Sequence, residues 1–71
     1  MDSSATRPQI VLRLAKVIER TGLSRSTLYQ LIDKGEFPQQ IKLGMHSVGW
    51  VEAEIDEWIS SRIARSRKVA S

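Results

Sequence analysis

The stretch Ser24–Lys34, SRSTLYQLIDK, sets hydrogen-bonding side chains along one side of a single short helix. At 100° per residue Leu28, Leu31 and Ile32 share a face. Ser26, Gln30 and Asp33 stand opposite, with Tyr29 and Lys34 on the flanks and Arg25 near the boundary. An ordinary surface helix would favour Glu, Lys and Ala at such positions, because their helix propensity is high. Arg, Ser, Thr, Tyr and Gln instead match the major groove of a nucleic-acid duplex. Arg donates two bonds to guanine, and Gln pairs both ways with adenine. Ser24, Ser26 and Thr27 near a helix start suit phosphate oxygens, aided by unpaired N–H groups and the positive dipole end. Tyr29 offers a hydroxyl for phosphate and a ring for a thymine methyl. Asp33 disfavours phosphate at the far end, which puts the contacts on the first two turns. The competing reading is a solvated helix whose polar residues meet no ligand.

A second group lies in KLGMHS: Lys42 for phosphate, with His46 and Ser47 at a turn beside the helix. His46, the single histidine, is either a weak phosphate donor or a bystander. No second ligand stands near it for a metal. The chain also lacks a phosphate-cradling glycine loop, a carboxylate pair placed for a cleft, and a nucleophile with a base, so an enzyme is not expected. Neither a cofactor nor a metal is expected.

The elements that must hold these residues follow from their signals. Ile10, Leu12 and Leu14 alternate, consistent with a short extended lead-in. Leu14, Val17 and Ile18 mark a short helix that stops at Gly22, with no good cap at its start. Ser24 is a natural N-cap for the next helix. Leu23 and Leu28 are spaced as a hydrophobic staple, and Lys34, Gly35 and Pro38 mark the end. Two helices joined by TGLS outline a helix-turn-helix. QIKLG and SVGW then predict a tight hairpin, with Ile41, Leu43, Val48 and Trp50 facing inward and Gly49 suggesting a bulge. A last helix from Val51 carries the stripe Ile55, Trp58, Ile59, Ile63. Glu52 and Asp56 fall on its solvated side. Trp50, Trp58 and Phe37 are assigned to the core, although tryptophan also serves as a stacking platform for single strands.

The whole chain is consistent with this. Seventy-one residues make one domain with a thin core, and no cysteine is present to brace it. The absence of a signal peptide and of any apolar run of about 20 residues predicts a soluble, cytoplasmic, nucleoid-associated protein with no membrane contact. Net charge is +3, and its distribution is uneven. Residues 1–51 carry seven Lys or Arg against four Asp or Glu. Glu52, Glu54, Asp56 and Glu57 follow, then Arg62, Arg65, Arg67 and Lys68 with no acid. A polyanion is therefore expected to avoid the acidic segment. Residues 1–9 read as a flexible arm, 10–65 as the domain and 66–71 as a basic flexible tail, either touching phosphate or merely solvated.

The run RLAKVIERTGLSRSTLYQLIDKGEFPQQIKLGMHSVGWVEAEIDEWI resembles the AlpA family of short phage and prophage transcriptional regulators, akin to excisionases and MerR-type DNA-binding domains. TGLSRSTLYQLI, GEFPQQIKLG, VGW and E-x-E-I-D-x-W carry the likeness across residues 12–65. It implies a mainly α winged helix-turn-helix, ordered helix-helix-hairpin-helix. It also implies recognition-helix residues Arg25, Ser26, Thr27, Tyr29 and Gln30, with a wing at 44–47. His46 stands where the family often has Arg, and Met45 where it often has Pro, which predicts a weaker or pH-dependent wing. Ala15 replaces a frequent Pro at the start of the first helix. The expected function is sequence-specific binding of double-stranded DNA to regulate prophage or mobile-element genes. Self-association or cooperative occupancy of adjacent sites is expected with it. The alternatives are an excisionase at attachment-site DNA, and a protein adaptor or anti-repressor that contacts an integrase or regulator.

Overall fold

A computed structural model of the chain describes residues 9–70. Three helices and three short strands follow in the order β1 (Val11–Leu12), α1 (Leu14–Thr21), α2 (Arg25–Asp33), β2 (Ile41–Lys42), β3 (Val48–Val51) and α3 (Glu52–Ala70). The expected arm at 1–9 lies outside the described residues apart from Gln9.

α1 begins at Leu14, and Arg13 in the N-cap position makes no side-chain cap, as the weak start signal implied. It ends at Gly22, whose φ of 75° is a left-handed conformation that costs glycine little. The Gly22 N–H donates to the Ile18 carbonyl at 2.8 Å, and Thr21 Oγ1 donates to the Val17 carbonyl at 2.8 Å. Three residues, Gly22 to Ser24, then join α1 to α2. Ser24 caps α2 by accepting from the Thr27 N–H at 3.2 Å. At the other end Gly35 N–H donates to the Ile32 carbonyl and Glu36 N–H to the Leu31 carbonyl. This pair of bonds around a left-handed Gly35 is a Schellman closure. Both ends of α2 are therefore fixed by local chemistry before any packing is considered.

The sheet has one strand more than the expected hairpin. β3 is central, with β1 and β2 antiparallel on its two sides. Val11 pairs with Val51 and Leu12 with Trp50, so the extended lead-in is a true strand. Val51 is spent in that ladder, and α3 starts one residue later than expected, at Glu52. Gly49 makes no bulge. Ile41 pairs with Gly49 and Lys42 with Val48 in unbroken register. The glycine is needed for space instead: a Cβ there would lie 2.5 Å from Val11 Cγ1 and 3.0 Å from both the Leu12 carbonyl oxygen and Leu43 Cδ1.

Leu12, Val17, Leu28, Phe37, Trp50 and Ile55 form the buried core. α1, α2 and α3 each supply one residue to it, β1 and β3 supply two, and the α2–β2 loop supplies Phe37. Leu14, Ile18, Leu23, Leu31, Ile32, Val48, Trp58 and Ile59 pack around it half-buried. Ile41 and Leu43, expected to face inward, are instead 38% and 45% exposed. β2 is a two-residue edge strand with no buried position, so its apolar side chains stay at the rim. The two tryptophans belong to the core, Trp50 fully and Trp58 in part. Their indole N–H groups also hold the loop before β2. Trp50 donates to the Pro38 carbonyl at 3.1 Å and Trp58 to the Glu36 carbonyl at 2.7 Å. Phe37 sits edge-on to Trp58 with centroids 4.8 Å apart.

α3 departs from expectation in two ways. Glu52, assigned to its solvated side, is half-buried and bonds Arg20 at the end of α1, together with Asp56, which is exposed as expected. The guanidinium reaches Asp56 Oδ1 at 2.8 Å through one nitrogen and Glu52 through the other. Hydrogen bonding to Glu52 raises the Arg20 pKa above its already high ordinary value. Folded-state stabilisation of the cation is lost only as pH rises through the arginine range, so it is constant near neutrality. Secondly, the helix continues through Ala70 where a flexible basic tail was expected, so residues 66–70 are helical. Among the described residues no helix is long and apolar enough to cross a membrane.

Candidate nucleic-acid interface

α2 is held by one fully buried side chain, Leu28, with Leu31 and Ile32 half-buried beside it. Leu23 before the cap packs on the same core, completing the staple with Leu28. The remaining surface of the helix is thereby turned outward. Arg25, Ser26, Thr27, Tyr29 and Gln30 are all exposed.

Within this set the roles divide. Ser24 Oγ donates to Thr27 Oγ1 at 2.9 Å while accepting from the Thr27 N–H, so these two hydroxyls are engaged in the cap. They order the first turn as much as they offer themselves to a ligand. Ser26, Tyr29 and Gln30 line one shallow hollow together with Ile32 and Asp33. Arg25 and Thr27 are outside it. Among the described residues, the side chains of Arg25, Ser26, Tyr29 and Gln30 make no intramolecular hydrogen bond or ion pair. Such groups keep their full hydrogen-bonding capacity for a partner.

Lys42, His46 and Ser47 lie apart in sequence, on β2 and the β2–β3 turn. The turn is closed by the Ser47 carbonyl, which accepts from the Leu43 N–H at 2.8 Å and the Gly44 N–H at 3.3 Å. Lys42 and His46 are exposed, and Ser47 is half-buried at the turn's base. None of the three bonds to α2. The two clusters are thus linked through the shared core and through the 36–38 loop that both tryptophans pin.

Asp33 brings one acid to the α2 hollow, and other unpaired acids sit elsewhere. Glu36, Glu54 and Glu57 line a different hollow with the 35–41 loop, Trp58 and Ser61, sharing no residue with the α2 hollow. Arg20 is unavailable to an external anion, being committed to Glu52 and Asp56. This clamp is the positioning feature that reading the sequence missed. The i, i+4 spacing of Glu52 and Asp56 was visible, but nothing local names a cation 32 and 36 residues away.

The family model described as "Prophage CP4-57 regulatory protein (AlpA)" matches residues 10–63, from the residue before β1 to the middle of α3. The ORF88 protein of Enterobacteria phage P4 is 47% identical over 57 residues, covering 80% of this chain and 65% of its own length. The chain therefore spans slightly less than two thirds of that relative. The DNA-binding transcriptional activator AlpA of Escherichia coli (strain K12) is 47% identical over 58 residues, covering 73% of this chain and 83% of that protein. On a family match across most of its length and on these relatives, the chain belongs to the AlpA family.

Proposed function

We propose that this chain is a sequence-specific double-stranded DNA-binding protein that regulates transcription of prophage or mobile-element genes. On this reading it is a small winged helix-turn-helix. α1 and α2 are the two helices of the motif, α2 lies in the major groove, and the 43–47 turn between β2 and β3 rests alongside as the wing. The observation that carries the proposal is the uncommitted polar face of α2. Arg25, Ser26, Tyr29 and Gln30 are exposed, free of internal partners and mounted on a helix capped at both ends. The name of the Escherichia coli relative, a DNA-binding transcriptional activator, supports the same reading.

Arg25 and Gln30 then read base edges, and Ser26 and Tyr29 bond phosphate or a thymine methyl. Ser24 and Thr27 stiffen the first turn, and the N–H groups at the start of α2 face the backbone. Lys42 supplies a phosphate contact from the wing, with His46 and Ser47 at its tip. One module of this size covers only about 600–1,000 Å² on DNA, which favours cooperative occupancy of adjacent sites.

The test begins by selecting duplexes from a random pool, then titrating variants on the winner. Arg25→Ala should cost about 1–3 kcal/mol and relax preference at one position. Lys42→Ala should weaken all sequences alike and lower the salt slope by about one counterion. If both variants bind every duplex as the parent does, α2 is not the reading head and an adaptor role takes its place.

A further inference from the structure

α3 is longer than its packing explains. Its contribution to the core is Ile55, with Trp58 and Ile59 half-buried, and by Ile63 the stripe is 44% exposed. The helix nevertheless continues to Ala70. From Ser60 onward it runs roughly 16 Å at 1.5 Å per residue. Helical turns without a packed face are marginal in water, so such an extension is expected to serve a partner.

Its composition states the chemistry of that partner. Residues 58–71 contain Arg62, Arg65, Arg67 and Lys68 and no acid. Arg62 is half-buried and set in place, its guanidinium carbon 4.8 Å from the Trp58 ring centroid. Arg65 follows three residues later on the adjoining side, where like charges repel along a helix unless an anion bridges them. Arg62 and Ile63 line a groove with Thr21 and Leu23, so the extension leaves the domain beside the turn that leads into α2. Of the four acids at the other end of α3, Glu52 and Asp56 bond Arg20, and Glu54 and Glu57 line the hollow beside the 35–41 loop, which holds none of these arginines. The family match ends at Ile63, so Arg65, Arg67 and Lys68 lie beyond the residues it matches.

We propose that the C-terminal turns of α3, with Arg62, Arg65 and Arg67, form a second phosphate-binding surface that grips duplex backbone outside the segment read by α2. It raises affinity without adding base readout. The proposal rests on the reading of the chain as a duplex binder.

The experiment compares the whole chain with its Arg65→Ala/Arg67→Ala double variant. Alanine keeps the helix while removing both charges. Affinity is measured from 50 to 200 mM salt on the selected duplex, once with long flanks and once trimmed to the base-read segment. On the long duplex the salt slope should fall by about 1.8, from roughly 0.9 per phosphate neutralised. Base preference should be unchanged, and on the trimmed duplex the two proteins should bind alike. An unchanged slope on the long duplex overturns the proposal, and so does an equal loss on both lengths. A parent chain with no sequence preference would instead sink the underlying DNA-binding reading. A lower thermal midpoint with unaltered binding would reduce the arginines to complements of the helix dipole and overturn the proposal as well.

Discussion

At the scale of single residues, the α2 face is defined by contrast. Leu28 is fully buried and Ser24 and Thr27 satisfy one another, while Arg25, Ser26, Tyr29 and Gln30 are left with nothing internal to bond. The cap is structural, so its loss should be felt first in stability. Ser24→Ala is expected to lower unfolding free energy by about 1 kcal/mol, seen as a reduced urea midpoint with an unchanged denaturant slope. The cap at Ser24 and the stops at Gly22 and Gly35 were legible because such signals are local: their partners lie within five residues. The indole bonds to Glu36 and Pro38 were not legible in the same way. A tryptophan's apolar bulk is evident from its type, but the carbonyl its N–H finds, 22 or 12 residues away, depends on the finished fold.

At the scale of elements, the three helices were readable from periodicity, and the end of α1 and both ends of α2 from capping residues. By contrast, α3 starts one residue later than expected and runs on to Ala70. The sheet was read less completely. β1 and β2 have two residues each, too few for alternation to declare itself, and β1 becomes a strand only because β3 is present to pair with it. Ile41 and Leu43 were misassigned because alternation gives a face and not a depth. An edge strand can turn an apolar side chain toward the sheet's rim with no layer beyond it. Gly49 was read as a bulge since a glycine within a strand suggests either a bulge or a close approach. Here it is the close approach, with Val11 and Leu43 converging on the missing Cβ. Gly49→Ala should therefore destabilise by about 1–3 kcal/mol through overpacking, measured by thermal or urea unfolding. Arg20 ties the ends of two helices together, and its removal should lower the thermal midpoint without changing the salt slope for DNA, because this cation is already paired.

At the scale of the whole molecule, the design is a thin core with polar faces segregated around it. Among the described residues, six buried apolar side chains hold three helices and a sheet, and Trp50 is the largest of those with no exposure. In a domain this small, Trp50→Ala should cost about 3–5 kcal/mol, enough to leave the chain largely unfolded by circular dichroism. Charge is arranged with equal economy. Glu36, Glu54 and Glu57 gather beside the 35–41 loop, a committed arginine locks α1 to α3, and unpaired hydrogen-bonding groups occupy α2 with Asp33 at its far end. The central claim is that the outward side of α2 meets the bases, and the most direct test is chemical-shift mapping of the folded chain as the selected duplex is added. Ser26, Tyr29 and Gln30, with the Arg25 side chain, should move most while Glu54 and Glu57 stay in place. Large changes elsewhere on the surface, with those α2 residues unmoved, would contradict the account.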